Sequence, residues 1–285
     1  MSTLRQLTTD LSASLQAIYP ASEADAMAGQ VVEHVLSLSP LQRRMQANEV
    51  VPIDKLTAFP AIQERLLRHE PLQYVLGVAH FAGLELEVTR ATLIPRPETE
   101  ELVALILQEQ RGKAGIQVLD IGTGSGCIPL ALAQGLPGSC LTAVDISAEA
   151  LIVARRNAAR YSVSIEFQQL DILHAAPRIP APLDVLVSNP PYVLEQERPL
   201  MRANVLDYEP AAALFVPDND PLLFYRRIAE LGTTLIRPGG SIYFEINEQY
   251  AAETVRLLTA MGYQQATAHA DLFGKMRIAR ATWPV

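Results

Sequence analysis

The tetrapeptide Asn189-Pro190-Pro191-Tyr192 follows an apolar run, Leu183–Ser188, and its residue types suit one kind of chemistry. A carboxamide or an exocyclic amine has a delocalised lone pair, so its nitrogen is a weak nucleophile. A site that accepts hydrogen bonds from both N–H groups would hold that nitrogen at an activated carbon. It would also favour the more positive, pyramidal nitrogen of the transition state. The side-chain oxygen of Asn189 and the backbone carbonyl of Pro190 are two such acceptors. Pro191 has no N–H and stiffens the turn, and Tyr192 offers a ring face to a flat amide. A simple strand stop would account for the prolines but for neither Asn189 nor Tyr192. Asn189, Pro190 and Tyr192 are thus candidate catalytic residues, and all four are candidate substrate-binding residues.

A second constellation begins at Ile116–Ile121, a short apolar strand, and continues into Gly122-Thr123-Gly124-Ser125-Gly126 and a helix from Ile128. Strand, glycine turn and helix form the first half of a nucleotide-binding unit, with loop amides and a helix N-terminus as prospective donors. A dinucleotide fingerprint would need its third glycine at position 127, where Cys127 stands. The strand Leu141–Ile146 carries Asp145 at its end, where two carboxylate oxygens can accept from both ribose hydroxyls. The competing role is a cap for the helix Ser147–Arg160. A third strand, Ser164–Gln168, leads to Asp171 and Ile172, an acceptor for an exocyclic amine beside an apolar wall, or else a turn acid.

Other regions serve to position these residues. Leu4, Leu7, Leu11, Leu15 and Ile18 recur at steps of three and four, so an amphipathic helix is expected up to Pro20. Further helices are expected from Ser22, from the Ser39-Pro40 cap and from Pro60 to Pro71. Between Tyr74 and Leu93 the apolar period becomes two, which predicts a β-hairpin. The prolines of Leu93-Ile94-Pro95-Arg96-Pro97 forbid a helix up to Pro97, and one starts at Glu98 or Thr99. Gly239-Gly240 reads as a turn before a strand from Ser241, and Glu245, near the end of that strand, could help shape the cleft. The expected division is a helical N-terminal domain over 1–73 that could dock substrate, a hairpin linker over 74–94 and an α/β domain over 95–285.

Composition narrows the function. The 23 basic and 31 acidic residues give a net charge of −8, which lacks the electrostatic excess for non-specific duplex binding, so DNA is not an expected partner. No apolar stretch reaches the roughly 18 residues of a membrane span, and Met1–Arg5 does not read as a signal peptide, so a cytoplasmic protein with no membrane partner is expected. Cys127, Cys140 and five scattered histidines lack metal-ligand spacing, so no metal is expected.

Taken together, the motifs resemble the class I S-adenosylmethionine-dependent methyltransferases, and within them the HemK-type release-factor glutamine methyltransferases. The resemblance rests on Glu70–Gly77, on Leu93-Ile94-Pro95-Arg96-Pro97-Glu98-Thr99-Glu100, on Asp120–Gly126, on Ser188–Tyr192, on Tyr208-Glu209-Pro210 and on Arg237-Pro238-Gly239-Gly240. Asn-Pro-Pro-Tyr alone also occurs in DNA adenine N6 methyltransferases. The linker joined to a helical N-terminal unit is more specific.

The resemblance implies a seven-stranded, mostly parallel Rossmann-like sheet with a small all-α N-terminal domain joined by a β-hairpin. It implies S-adenosyl-L-methionine as cofactor and methyl transfer to N5 of the glutamine in the Gly-Gly-Gln motif of class-1 peptide chain release factors; a monomer is expected. Gly122, Thr123, Gly124, Ser125 and Gly126 would cradle the methionine part of the cofactor. Asp145 would bind the ribose, Asp171 and Ile172 the adenine, and Asn189 would stand near both cofactor and substrate. Three alternatives stay open at this stage: a glutamine methyltransferase for a large-subunit ribosomal protein, a DNA adenine methyltransferase, and a cofactor-binding interaction module without turnover.

Overall fold

A computed structural model describes residues 2–285, which divide into two compact units. One runs to Gly77 and takes in Ala203–Tyr208; the other comprises Val78–Arg202 and Glu209–Val285. The helical unit holds α1 (Leu4–Leu15), α2 (Ala21–Leu36), α3 (Pro40–Met45), α4 (Ile53–Leu56), α5 (Phe59–Leu67) and α6 (Leu72–Leu76). The apolar stripe of α1 buries Leu4, Leu11 and Leu15 against Ala28, Val31 and Val32 of α2. Ser39 and Gln42 form the capping box of α3, each accepting from the other's backbone amide. The helix expected from Ser22 starts at Ala21, after Pro20, with no side-chain cap.

The hairpin expected between Tyr74 and Leu93 starts after Leu76, because Tyr74–Leu76 belong to α6. That helix follows Pro71 and stops at Gly77, whose φ of 74° gives the left-handed cap that a side chain would resist. The hairpin proper is β1 (Val78–Phe81) and β2 (Leu84–Glu87), and it groups with the larger unit instead of standing apart as a linker. α7 (Pro97–Glu109) begins one residue earlier than expected, since a proline is tolerated in a first turn.

The larger unit continues with β3 (Gln117–Ile121), α8 (Cys127–Gly135), β4 (Cys140–Asp145), α9 (Ala148–Arg160), β5 (Ile165–Gln169), β6 (Leu183–Ser188) and β7 (Val193–Leu194). The short α10 (Ala203–Leu206) lies in the segment that groups with the helical unit, where the Tyr208 hydroxyl donates to the Arg68 carbonyl at 2.7 Å. Then follow β8 (Phe215–Val216), α11 (Leu223–Leu235), β9 (Ile236–Glu245), α12 (Ala251–Ala260), β10 (Gln264–Ala270) and β11 (Met276–Thr282). Seven strands form one sheet in the order β10-β11-β9-β6-β3-β4-β5, parallel except for β11 against its two neighbours.

Both faces of the sheet are covered. Val118, Val185 and Val187 face Leu102, Ile106 and Leu130 of α7 and α8, whereas Leu119, Ile121 and Leu186 face Tyr225 and Ile228 of α11. That is the alternation of a strand buried on two sides. Gly239-Gly240 lies inside β9 and not before it, at a register shift against β6. A Cβ on Gly240 would fall 2.7 Å from the Leu183 carbonyl oxygen, so this close approach of strands admits only glycine. No helix among the described residues is long and apolar enough to cross a membrane.

Candidate active site

β3 and β6 are parallel neighbours with Ile121 opposite Ser188, so the turns that leave them emerge side by side at the C-terminal edge of the sheet. In an open α/β sheet that edge, where strand order reverses, is where ligands bind. The Ser188 hydroxyl donates to the Ile121 carbonyl at 2.6 Å and locks the two strand ends together. A Cβ on Gly122 would lie 3.8 Å from the Asn189 carbonyl oxygen, so the glycine turn and the prolyl turn nearly touch. A cavity of about 510 Å³ opens beside them. That volume is within the roughly 300–1,000 Å³ range of small-molecule sites.

Ten of the residues singled out in the sequence line this one cavity: Gly122, Thr123, Gly124, Ser125, Asp145, Asp171, Ile172, Asn189, Pro190 and Pro191. Gly126 and Tyr192 do not. Gly126 has φ 79° and sits under α9, where an added Cβ would approach that of Ala154 to 3.3 Å; it packs helix on helix. Tyr192 turns its ring into the core beside α11, and its hydroxyl donates to Glu245 Oε1 at 3.0 Å. The expected ring face for a flat amide is therefore a buttress beneath the turn.

The glycine loop also differs from expectation in its donors. The amides of Gly122 and Thr123 donate to the Val144 carbonyl, that of Gly124 to Asp145 Oδ2 at 2.8 Å, and that of Gly126 to the Thr123 carbonyl. Four loop amides thus hold the loop in place. The positive φ of Gly122 and Gly124 (78° and 55°) is what brings backbone to the cavity wall without a side chain in the way.

Asp145 is not the cap of α9; Ser147 is, accepting from the Ala150 amide. Asp145 accepts from Gly124 N and from Ser147 N at 2.9 Å, one bond on each oxygen, which leaves a lone pair on each for a ligand. Burial raises its carboxyl above the usual range, and the amides of Ser147, Gly124 and Ile146 oppose that. Asp171 both lines the cavity and closes its turn, with Leu173 N on one oxygen and His174 Nδ1 at 2.8 Å on the other. The His174 contact, then the Leu173 amide, hold its carboxyl below the usual range.

Three features were not assigned from the sequence. Asp120 shares the face of Val118 in β3 and lies wholly buried under the glycine loop, and neither of its oxygens finds a hydrogen-bond partner among the described residues. Burial pushes its carboxyl up to about 7, Asp145 adds to that, and the nearby Thr123 hydroxyl opposes it. Thr123 Oγ1 and Ser125 Oγ are similarly buried without partners. Glu209 accepts from Ile94 N at 3.2 Å and from Arg96 Nη2 at 2.5 Å, and so ties the proline-rich linker to the loop beyond Tyr208. Thr99 and Glu245 form the third feature. Asn189 Nδ2 donates to Thr99 Oγ1 at 3.2 Å, and the Thr99 hydroxyl donates to Glu245 Oε2 at 2.5 Å. Burial is the main cause raising the Glu245 carboxyl; the Thr99 and Tyr192 hydroxyls and Arg277 lower it, and Glu98 raises it. The signal for Thr99 lay in the linker motif and that for Glu209 in Tyr208-Glu209-Pro210, but neither motif says what its residues touch.

Residues 6–77 match the family model described as PrmC N-terminal domain, and residues 99–207 the methyltransferase small domain. The release factor glutamine methyltransferase of Bacteroides thetaiotaomicron is 43% identical over 278 residues, spanning 98% of this chain and 99% of that protein. Its counterpart in Deinococcus radiodurans is 34% identical over 98% of both. Among solved structures, a methyltransferase from Pyrococcus furiosus superposes with a TM-score of 0.51 at 18% identity, over 80% of this chain and all of that one. That last likeness is one of fold alone.

The cofactor of such enzymes, S-adenosyl-L-methionine, bears an ammonium, a sulfonium, two ribose hydroxyls and an adenine amine. Within the cavity the site matches that list with the Thr123 and Ser125 hydroxyls, which find no partner among the described residues, with open lone pairs on Asp145, and with Asp171 beside apolar Ile172; the buried Asp120 lies behind this lining and not in it. A cationic, hydroxyl-bearing ligand is what these acids suit. Full-length identity, the two matched domains and a cavity built from both turns agree, and the chain belongs to the release factor glutamine methyltransferase family.

Proposed function

We propose that this protein transfers a methyl group from S-adenosyl-L-methionine to N5 of the glutamine in the Gly-Gly-Gln motif of class-1 peptide chain release factors. The observation that carries this reading is the identity of 43% with a protein of that name over nearly the whole of both chains. When bound, the cofactor supplies a methyl group on a positively charged sulfur. The residues of the chain supply orientation. Asn189 and the Pro190 carbonyl accept from the two N–H groups of the substrate amide and hold its nitrogen pyramidal as charge develops on it. Pro191 keeps the turn rigid, and the proton leaves to water after transfer, so no general base is needed. On the other wall Asp145 takes the ribose hydroxyls, and Asp171 with Ile172 takes the base.

All of these groups come from one chain, so the same reading has a monomer acting in the cytoplasm, with release factor as its partner and DNA as none. Incubation of purified protein with cofactor and release factor, followed by mass spectrometry, tests it. The expected product is one added CH2 on the Gly-Gly-Gln peptide. A gain on a large-subunit ribosomal protein instead, or on DNA, would transfer the assignment there.

A further inference from the structure

We infer that Thr99 and Glu245 are positioning residues that fix which end of the Asn189 carboxamide faces the substrate; the inference rests on the function proposed above. An asparagine side chain has an oxygen and an NH2 of nearly equal size, and its two flipped orientations fill the same space. Only one presents an acceptor to the cavity. In the other, an NH2 would face the substrate's own NH2, and the orienting hydrogen bond would be lost.

The choice is made by a directional relay of three side chains. Glu245, wholly buried at the end of β9, can only accept in its ionised form and has no donor of its own. Two hydroxyls converge on it, Tyr192 Oη at 3.0 Å on Oε1 and Thr99 Oγ1 at 2.5 Å on Oε2. A threonine hydroxyl has one proton, and this one is directed to Glu245. Toward Asn189 the Thr99 oxygen can then only accept. Asn189 answers with Nδ2 at 3.2 Å, which leaves its Oδ1 for the cavity. The backbone sets the relay in place. β6 and β9 pair Ser188 with Phe244, so Asn189, the residue just past β6, and Glu245, the next residue of β9, fall side by side, and Thr99 reaches both from the first turn of α7. Tyr192 adds a second tie from the same prolyl turn to the same carboxylate, and Asn247 Nδ2 holds the Tyr192 carbonyl at 3.2 Å. Thr99 is only 2% exposed.

Thr99→Val keeps the shape and removes both hydrogen bonds. On purified enzyme with release factor and cofactor, kcat should fall about ten- to a hundredfold, as a misplaced reacting group does, while cofactor Kd by calorimetry and KM for release factor stay within about twofold. Thr99→Ser restores the hydroxyl and should recover most of the wild-type kcat. In an Asn189→Ala background the same Thr99→Val change should cost nothing further, because the group it orients is gone. Glu245→Gln is the second variant should Thr99→Val fold poorly. Its amide can donate to Thr99 and so frees the relay to reverse, and kcat should fall several-fold with the same split. Equal losses from Thr99→Val in both backgrounds, or a serine variant no better than valine, would overturn the inference. So would a valine variant with wild-type kcat. A wild-type protein inert toward release factor would instead remove the function on which the inference rests, and the two failures are thereby told apart.

Discussion

The two walls of the cavity are built differently. On the cofactor side, Asp145 is held by amides 21 and 2 residues away, and the glycine loop closes on itself and on the strand beside it. On the substrate side, Asn189 depends on Thr99, 90 residues distant, which depends on Glu245, 146 residues further along the chain, which also takes Tyr192 from 53 residues back. One wall is backbone geometry written locally. The other is a side-chain relay assembled only when the whole sheet has formed. The first should govern cofactor affinity, and the second should govern the rate of transfer.

Substitutions on each wall can break that contrast. Asn189→Ala has the largest expected effect, a loss of about two to three orders of magnitude in kcat, the scale of one preorganised polar contact. Cofactor affinity should stay within a few-fold, measured by calorimetry on the same preparation. A matching loss of affinity would mean that the walls are not separable.

Asp120 tests the floor beneath the glycine loop. Its folded-state carboxyl holds its proton up to about 7, whereas an unfolded one releases it near pH 4. Between those values the folded protein binds the extra proton, so stability should fall as pH rises through this window and level off above it. The drop should amount to a few kcal/mol, since each unit is worth about 1.4. Asp120→Asn should remove that slope; Tm of the cofactor-free protein across the window, compared with wild type, is the measurement.

Asp145→Ala should raise cofactor Kd by about ten- to a hundredfold, the worth of a charge-assisted hydrogen bond, with kcat at saturating cofactor changed far less than in the Asn189 variant. Gly126→Ala comes last. Its φ of 79° puts alanine in the left-handed region, at a cost of about 1–2 kcal/mol in stability read from Tm. Because Gly126 does not face the cavity, cofactor Kd should change little.

The same contrast explains what could be read from the sequence. The strand–glycine turn–helix succession, Asp145 at a strand end and Leu183–Ser188 running into Asn189 are local patterns; the seven-stranded sheet is what the family resemblance implies, and the fold has it. In the sequence, Asp145 fits both ribose and helix cap because both uses need an acid at that place; the fold gives the cap to Ser147. The motif alone suggests a ring face for Tyr192, but a motif tells which residues stand together and not which way each one points. The role of Glu245 is hidden for the same reason: its partners are dispersed over the chain, and no spacing rule links a threonine at the start of α7 to a glutamate on the seventh strand after it. The start of the hairpin is set too early at Tyr74 because alternation is ambiguous over so few residues, and the helix there is set by Pro71 and Gly77.

The most direct measurement compares wild-type and Asn189→Ala protein, each saturated with cofactor, by mass spectrometry of the release-factor Gly-Gly-Gln peptide over time. Wild type should add one CH2 to the glutamine, and the variant should do so more slowly by about two to three orders of magnitude. Equal rates in the two proteins, or a wild-type protein that leaves the peptide unmodified, would contradict the account.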